Sequence, residues 1–189
     1  MAARTKAGAR GFTMIELLVV IALVAIILAL AAPSFTGTLA RKRMEGAASE
    51  LATDIQYARS EAARLNAPVR MTVGTNCYVI TAQPTAGTPT SSCTQTSAST
   101  IGAGATELKT VQSTGGTSLT LTSTNSLAYF EFDPVRGMAI DASGTDTTGF
   151  VSVANTAGNW QIQAKLWKQG RVKLCSPNNT VTSLATDCN

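Results

Sequence analysis

The sequence predicts an α+β protein in which one long N-terminal helix, part membrane anchor and part spine, lies against an antiparallel β-sheet head. Three observations lead there. From Met14 to Ala32 every residue is apolar except Glu16, a helical run close to the length that the roughly 30 Å hydrocarbon core requires. From Met44 through Ala48, Leu51, Ile55, Ala58 and Ala62 to Leu65, apolar residues recur at alternating steps of four and three. That spacing is one stripe of an amphipathic helix. Beyond Pro68 the pattern changes to short β-rich runs separated by Gly, Asn, Asp and Pro. A helix followed only by strands is the α+β order.

The chain has 189 residues, enough for one domain and an anchor. It contains no histidine, which removes Ser-His-Asp and Cys-His catalysis and His-ligated metal sites together. No enzyme activity, cofactor or metal is expected. The net charge of +4 is uneven: residues 1–11 hold Arg4, Lys6 and Arg10 and no acid, leaving +1 for the rest. Basic residues just before an apolar span hold that end in the cytoplasm and send the head across the membrane.

The first element is therefore a basic leader, residues 1–11, followed by an anchor and assembly helix over 12–33. Ala31-Ala32-Pro33 is a poor secretory cleavage site because proline follows directly. The notable junction is Gly11-Phe12-Thr13-Met14-Ile15-Glu16. A carboxylate in a membrane helix costs about 2.5–3.5 kcal/mol on insertion scales, so Glu16 either lies solvated at the interface, two residues into the span, or needs a partner. Cleavage after Gly11 supplies one, the new ammonium of Phe12, in the same chain or a staggered neighbour.

Residues 34–66 form the amphipathic half of the spine. Its stripe is core, and its other face carries Arg41, Arg43, Glu45, Glu50, Asp54, Arg59, Glu61 and Arg64. Gly37 and Gly46 each weaken a helix by about 1 kcal/mol relative to alanine. Asn66 and Pro68 end it. Residues 67–189 form the β-rich head. Val69–Val73 and Cys77–Gln83 read as strands, as do Leu127–Phe132, Phe150–Ala154, Trp160–Leu166 and Arg171–Cys175. Of the 43 residues from Pro84 to Ser126, 21 are Ser or Thr, so this stretch reads as exposed loop with one strand around Leu119 and Leu121.

Four cysteines, Cys77, Cys93, Cys175 and Cys188, allow three pairings. With no CxxC spacing and no histidine, disulfides in an oxidising compartment are expected rather than zinc. The pairings Cys77–Cys93 and Cys175–Cys188 would close loops of similar length, each stabilising by about 3 kcal/mol. Asp133, Asp141 and Asp146 match no calcium loop and read as turn formers. Between Asp146 and Asp187 the chain has no acid but carries Lys165, Lys168, Arg171 and Lys173. Trp160, Ile162, Ala164 and Leu166 alternate inward, which turns Lys165 outward. Such a cluster can hold phosphates; a solvated strand face is the plainer reading.

The run Gly11-Phe12-Thr13-Met14-Ile15-Glu16-Leu17-Leu18-Val19-Val20-Ile21-Ala22 resembles the class III signal of type IV pilins and type II secretion pseudopilins. The resemblance implies a pilin-like fold, cleavage after Gly11 by a prepilin peptidase and methylation of Phe12. It also implies Glu16 as the assembly glutamate and Pro33 as the proline that kinks the helix. Ala58-Arg59-Ser60-Glu61-Ala62, Phe130-Glu131-Phe132-Asp133-Pro134-Val135-Arg136-Gly137 and Gly170-Arg171-Val172-Lys173-Leu174 resemble the GspH/FimT branch of minor pilins. Membership would make the chain a minor subunit of a type IV pilus or a type II secretion pseudopilus. It would be anchored once in the bacterial inner membrane, with its head periplasmic, and partnered by other pilins. In some members of that branch a C-terminal Gly-Arg-x-Arg motif binds DNA for natural transformation. Gly170 and Arg171 match it, and Lys173 stands at the second arginine. Two functions of different kinds follow, a filament assembly subunit and a pilus-displayed DNA-binding module.

Overall fold

A computed structural model describes residues 11–189 apart from 75, 84–90, 95–96, 114–116, 124–128, 142–143, 156–159, 178–180, 182–183, 187 and 189. Within the helix and strands, the side chains of 31–34, 36, 94, 97–100 and 117–123 are also outside it. The leader cations Arg4, Lys6 and Arg10, Leu127, and the side chains of Pro33, Leu119 and Leu121 thus lie outside the described residues. The chain divides into two compact units, Met1–Leu39 and Ala40–Asn189.

One helix, α1, runs from Met14 to Leu65. Its ends are set by local chemistry. Glu16 N–H donates to Thr13 Oγ1 at 3.2 Å, so Thr13-Met14-Ile15-Glu16 forms the Thr half of a capping box, with a carboxylate in the first turn where the helix dipole favours it. At the other end Asn66 takes φ 49° and Ala67 N–H donates to Ala62 C=O at 3.3 Å. That is the left-handed residue and 6→1 bond of a Schellman cap. In the first unit the apolar side chains stand in the open: Phe12, Leu17, Leu18, Ile21, Ile27 and Leu30 are all exposed. Among the described residues no helix is long and apolar enough to cross a membrane. The side chains of Ala31 and Ala32, which end the apolar run in sequence, fall outside the described ones.

In the second unit α1 from Ala40 onward is accompanied, among the described residues, by eleven strands. These are β1 (Val69–Gly74), β2 (Cys77–Ala82), β3 (Ser92–Thr94), β4 (Ser97–Thr100), β5 (Thr106–Gln112), β6 (Thr117–Ser123), β7 (Tyr129–Phe132), β8 (Ala139–Ile140), β9 (Gly149–Asn155), β10 (Trp160–Leu166) and β11 (Val172–Cys175). They form a five-stranded sheet ordered β5-β2-β1-β7-β8, a four-stranded sheet ordered β11-β10-β9-β6, and the β3-β4 hairpin. Pairing between these strands is antiparallel. The helical stripe is buried as its spacing implied. Met44, Ala48, Leu51, Ile55, Ala58 and Ala62 join Met71, Ile80 and Phe132 of one sheet and Val153, Ile162 and Leu166 of the other in a single core. Leu65, at the stripe's end, is exposed.

Three expectations need correction. The described residues of the Ser/Thr-rich stretch are mostly strand, holding β3, β4, β5 and β6, because β-branched threonine suits a pleated surface whenever a neighbour supplies the ladder. Its segment β5 pairs with β2 along its length. Asp54 is not on the solvated face. It is buried, accepting from Tyr78 Oη at 2.7 Å and from Lys109 Nζ at 2.8 Å, a polar clamp between α1 and the five-stranded sheet. Arg70 alternates with Val69 and Met71 yet is fully buried, bonded to Glu131 on the adjacent strand at 2.8 Å and stacked 4.0 Å from the Tyr129 ring. That face of the sheet is covered too, so alternation there does not mean solvent.

Cys77 is joined to Cys93, and Cys175 to Cys188. The first bond ties the β3 hairpin to β2; the second ties the tail to the end of β11.

Candidate assembly and anion-binding surfaces

Two surfaces carry the residues singled out by the sequence. The first lies around the start of α1. Gly11 has open space about its Cα, and Phe12 beside it is exposed. Glu16 sits one turn into the helix, held in place through its backbone by Thr13. The Thr13 cap was legible as Thr-x-x-Glu before an apolar run, but sequence reasoning explained Glu16 by its carboxylate alone. Helix α1 continues through Pro33.

The second surface is the C-terminal basic strand pair. Lys165 and Lys173 are cross-strand partners of β10 and β11, and Lys173 is exposed. Lys165 is half-buried, donating to Cys188 C=O at 2.5 Å with its Nζ 5.3 Å from the Trp167 ring centre. The disulfide-bound tail has therefore claimed it. Lys168 and Arg171 are exposed, and neither makes a side-chain hydrogen bond or ion pair among the described residues. Trp167, Gln169, Arg171, Val172 and Lys173 line a groove of about 620 Å³.

The turn that bears Lys168 and Arg171 is braced, and its bracing explains three sequence motifs at once. Arg59 of α1 donates from Nε to Gly137 C=O at 2.9 Å, and Gln56 donates to Gly170 C=O at 3.0 Å. Gly170 has φ +72°, and a Cβ there would lie 2.7 Å from Gly137 O and 2.9 Å from Arg59 Nε. Only glycine fits. The turn is closed by Gly170 N–H to Trp167 C=O and Trp167 N–H to Arg171 C=O, and Ala139 N–H donates to Lys168 C=O. The Ala-Arg-Ser-Glu-Ala, Asp-Pro-Val-Arg-Gly and Gly-Arg-Val-Lys strings thus meet at one point. Gly170 belongs to packing, and the exposed cations beside it are what remains for a ligand. The three strings were visible in the sequence, but nothing in them revealed that they touch.

The aspartates are turn formers. Asp133 Oδ1 accepts from Val135 and Arg136 N–H at 2.8 and 2.7 Å. The Arg136 backbone bond, above all, holds its carboxyl below the ordinary range, against the opposing effect of burial. Asp141 Oδ1 accepts from Thr145 N–H, and Arg136 reaches both Asp133 and Asp146. Away from this surface, burial and then the bond to Asp54 push the Tyr78 hydroxyl far above its usual pKa.

Comparison with known proteins bears on both surfaces. A family model described as Type II transport protein GspH matches residues 47–182. Another, the Prokaryotic N-terminal methylation motif, matches residues 6–32. No curated protein matches the chain. Among solved structures it is similar to the type IV minor pilin FimU of Pseudomonas aeruginosa (strain PAO1), with 17% identity and a TM-score of 0.47, over 71% of this chain and 89% of that one.

Proposed function

The chain belongs to the GspH family of type II transport proteins and carries the N-terminal methylation motif of pilins and pseudopilins, and from that premise we propose that it is a prepilin acting by assembly in a filament. The prepilin peptidase cuts after Gly11 and methylates Phe12. The helix from Phe12 to Pro33 crosses the inner membrane once, with the leader cytoplasmic and the head periplasmic. On leaving the membrane, the apolar side chains pack against the helices of other pilins, and Glu16 meets a Phe12 ammonium to set the axial step. Its place is that of a minor subunit, at initiation or at the tip.

The observation that carries this reading is the row of exposed apolar side chains from Phe12 to Leu30, which lies within the residues matched by the methylation motif. A surface of that kind is covered by lipid or by protein. The discriminating experiment is incorporation of a Glu16→Ala variant. It should insert at least as well as wild type, since a costly charge is gone, yet fail to enter filaments; normal assembly would remove the register role.

A second reading, DNA binding by the head, is favoured by the two exposed and unpaired cations, Lys168 and Arg171, on a braced turn. A guanidinium can grip a phosphate with two bonds and an ammonium cannot. Titration of duplex DNA with the protein at low salt tests it: no binding would leave these residues as a solvated turn.

A further inference from the structure

The basic triplet Arg41-Lys42-Arg43 is not accounted for by the packing of the head or by the readings above. Glu45 accepts from Arg41 Nε at 3.1 Å and from Lys42 Nζ at 2.8 Å. Lys42 keeps 69% of its side chain exposed. Arg43 is exposed and makes no ion pair among the described residues. Three cations against one carboxylate leave a local excess of two positive charges. From their side chains, we infer that the triplet binds the phosphates of anionic lipid headgroups on the periplasmic face of the membrane. This rests on reading Met14–Ala32 as the span.

Position favours that partner. Arg41 and Arg43 follow Ala32 by nine and eleven residues, so α1 carries them no further than about 14 and 17 Å along its own axis. The headgroup layer adds roughly 5–8 Å to each side of the hydrocarbon core. That leaves about 6–9 Å at Arg41, a gap that a long side chain inclined toward the helix N-terminus closes, and about 9–12 Å at Arg43, which a tilted helix shortens.

Charge favours it as well. Arginine and lysine close to a span promote retention of that side in the cytoplasm. Three cations in the leader and three after the span oppose each other, so the second set adds a cost to the proposed topology that anionic headgroups beside it would offset. The sequence supplies only Glu45 nearby, and it is outnumbered. Headgroup phosphates satisfy the remainder and would hold the subunit in the membrane before it enters a filament.

Trypsin reads the triplet directly, since it cuts after these residues. The full chain is reconstituted in vesicles of phosphatidylcholine alone and in an equal mixture with phosphatidylglycerol, and cleavage is followed by mass spectrometry. The cut after Arg136, exposed in the Asp133–Gly137 turn and outside both basic surfaces, serves as the internal reference. Cleavage within 41–43 should be slower in the anionic vesicles by about fivefold per engaged cation, the factor that ~1 kcal/mol gives, and added salt should restore it. In Lys42→Gln/Arg43→Gln protein the cut after Arg41 should lose most of this dependence. Equal rates in both vesicles would overturn the inference, as would protection by free inorganic phosphate with neutral vesicles, or protection that needs a co-reconstituted pilin. Failure of the chain to float with neutral vesicles would instead overturn the membrane span.

Discussion

Gly170→Ala should unfold the head more readily while leaving the exposed cations in place. The residue sits at φ +72°, and its added Cβ would press on Gly137 O and on the Arg59 side chain. Holding an alanine in the left-handed region costs roughly 1–2 kcal/mol. Moving Gly137 aside weakens the Arg59–Gly137 bond of 2.9 Å, whose net worth is about 0.5–1.5 kcal/mol. The sum is about 1.5–3.5 kcal/mol. With a urea slope of about 2 kcal/mol per molar, the unfolding midpoint of the detergent-solubilised chain should fall by about 1 M. Arg171→Ala, one residue on, should change stability by less than about 0.5 kcal/mol. A Gly170→Ala midpoint within experimental error of wild type would refute the claim that the glycine of this motif serves packing.

Asp54→Ala leaves the buried Tyr78 hydroxyl without its acceptor and should cost about 1–3 kcal/mol in urea unfolding. Because the folded Tyr78 holds its proton more tightly than the unfolded one, its contribution is complete below about pH 10 and declines as pH rises beyond it; Tyr78→Phe should flatten that alkaline fall. Asp133 is shifted the other way, so its contribution is present above about pH 4 and lost as pH falls through the lower folded value; Asp133→Asn should reduce the acid sensitivity of unfolding. If DNA binds, two or three phosphate contacts give a log-log salt slope of about −2 to −3. Arg171→Ala should weaken binding more than Lys168→Ala, and Lys165→Gln should leave the slope unchanged because that ammonium is engaged by Cys188 C=O. A slope unaffected by Arg171→Ala would sink the assignment.

The helix was legible because its signals are local. An unbroken apolar run, a four-three stripe from Met44 and the Asn66–Pro68 stop each act within a few residues, and the structure places the caps at Thr13 and Asn66. The strands with alternating apolar residues were legible for the same reason, β1 and β10 among them. What escaped depends on partners far away in sequence. Strand β5 has few apolar residues and is defined by its ladder to β2. Arg70 and Glu131 look like solvent-facing charges until the β1–β7 register sets them opposite each other. The candidate anion surface divides likewise. Its cations could be counted along the chain, but that the tail takes Lys165, and that Arg59 braces the turn carrying Arg171, follows from contacts spanning 23 and 78 residues.

The central claim is that this chain is a prepilin processed at Gly11 and working through the helix thereby released. N-terminal sequencing with mass determination of the protein recovered from native membranes tests it most directly. The account predicts a chain beginning at Phe12 with a methylated amino group. A mature chain that begins at Pro33, or one that keeps residues 1–11, would contradict it.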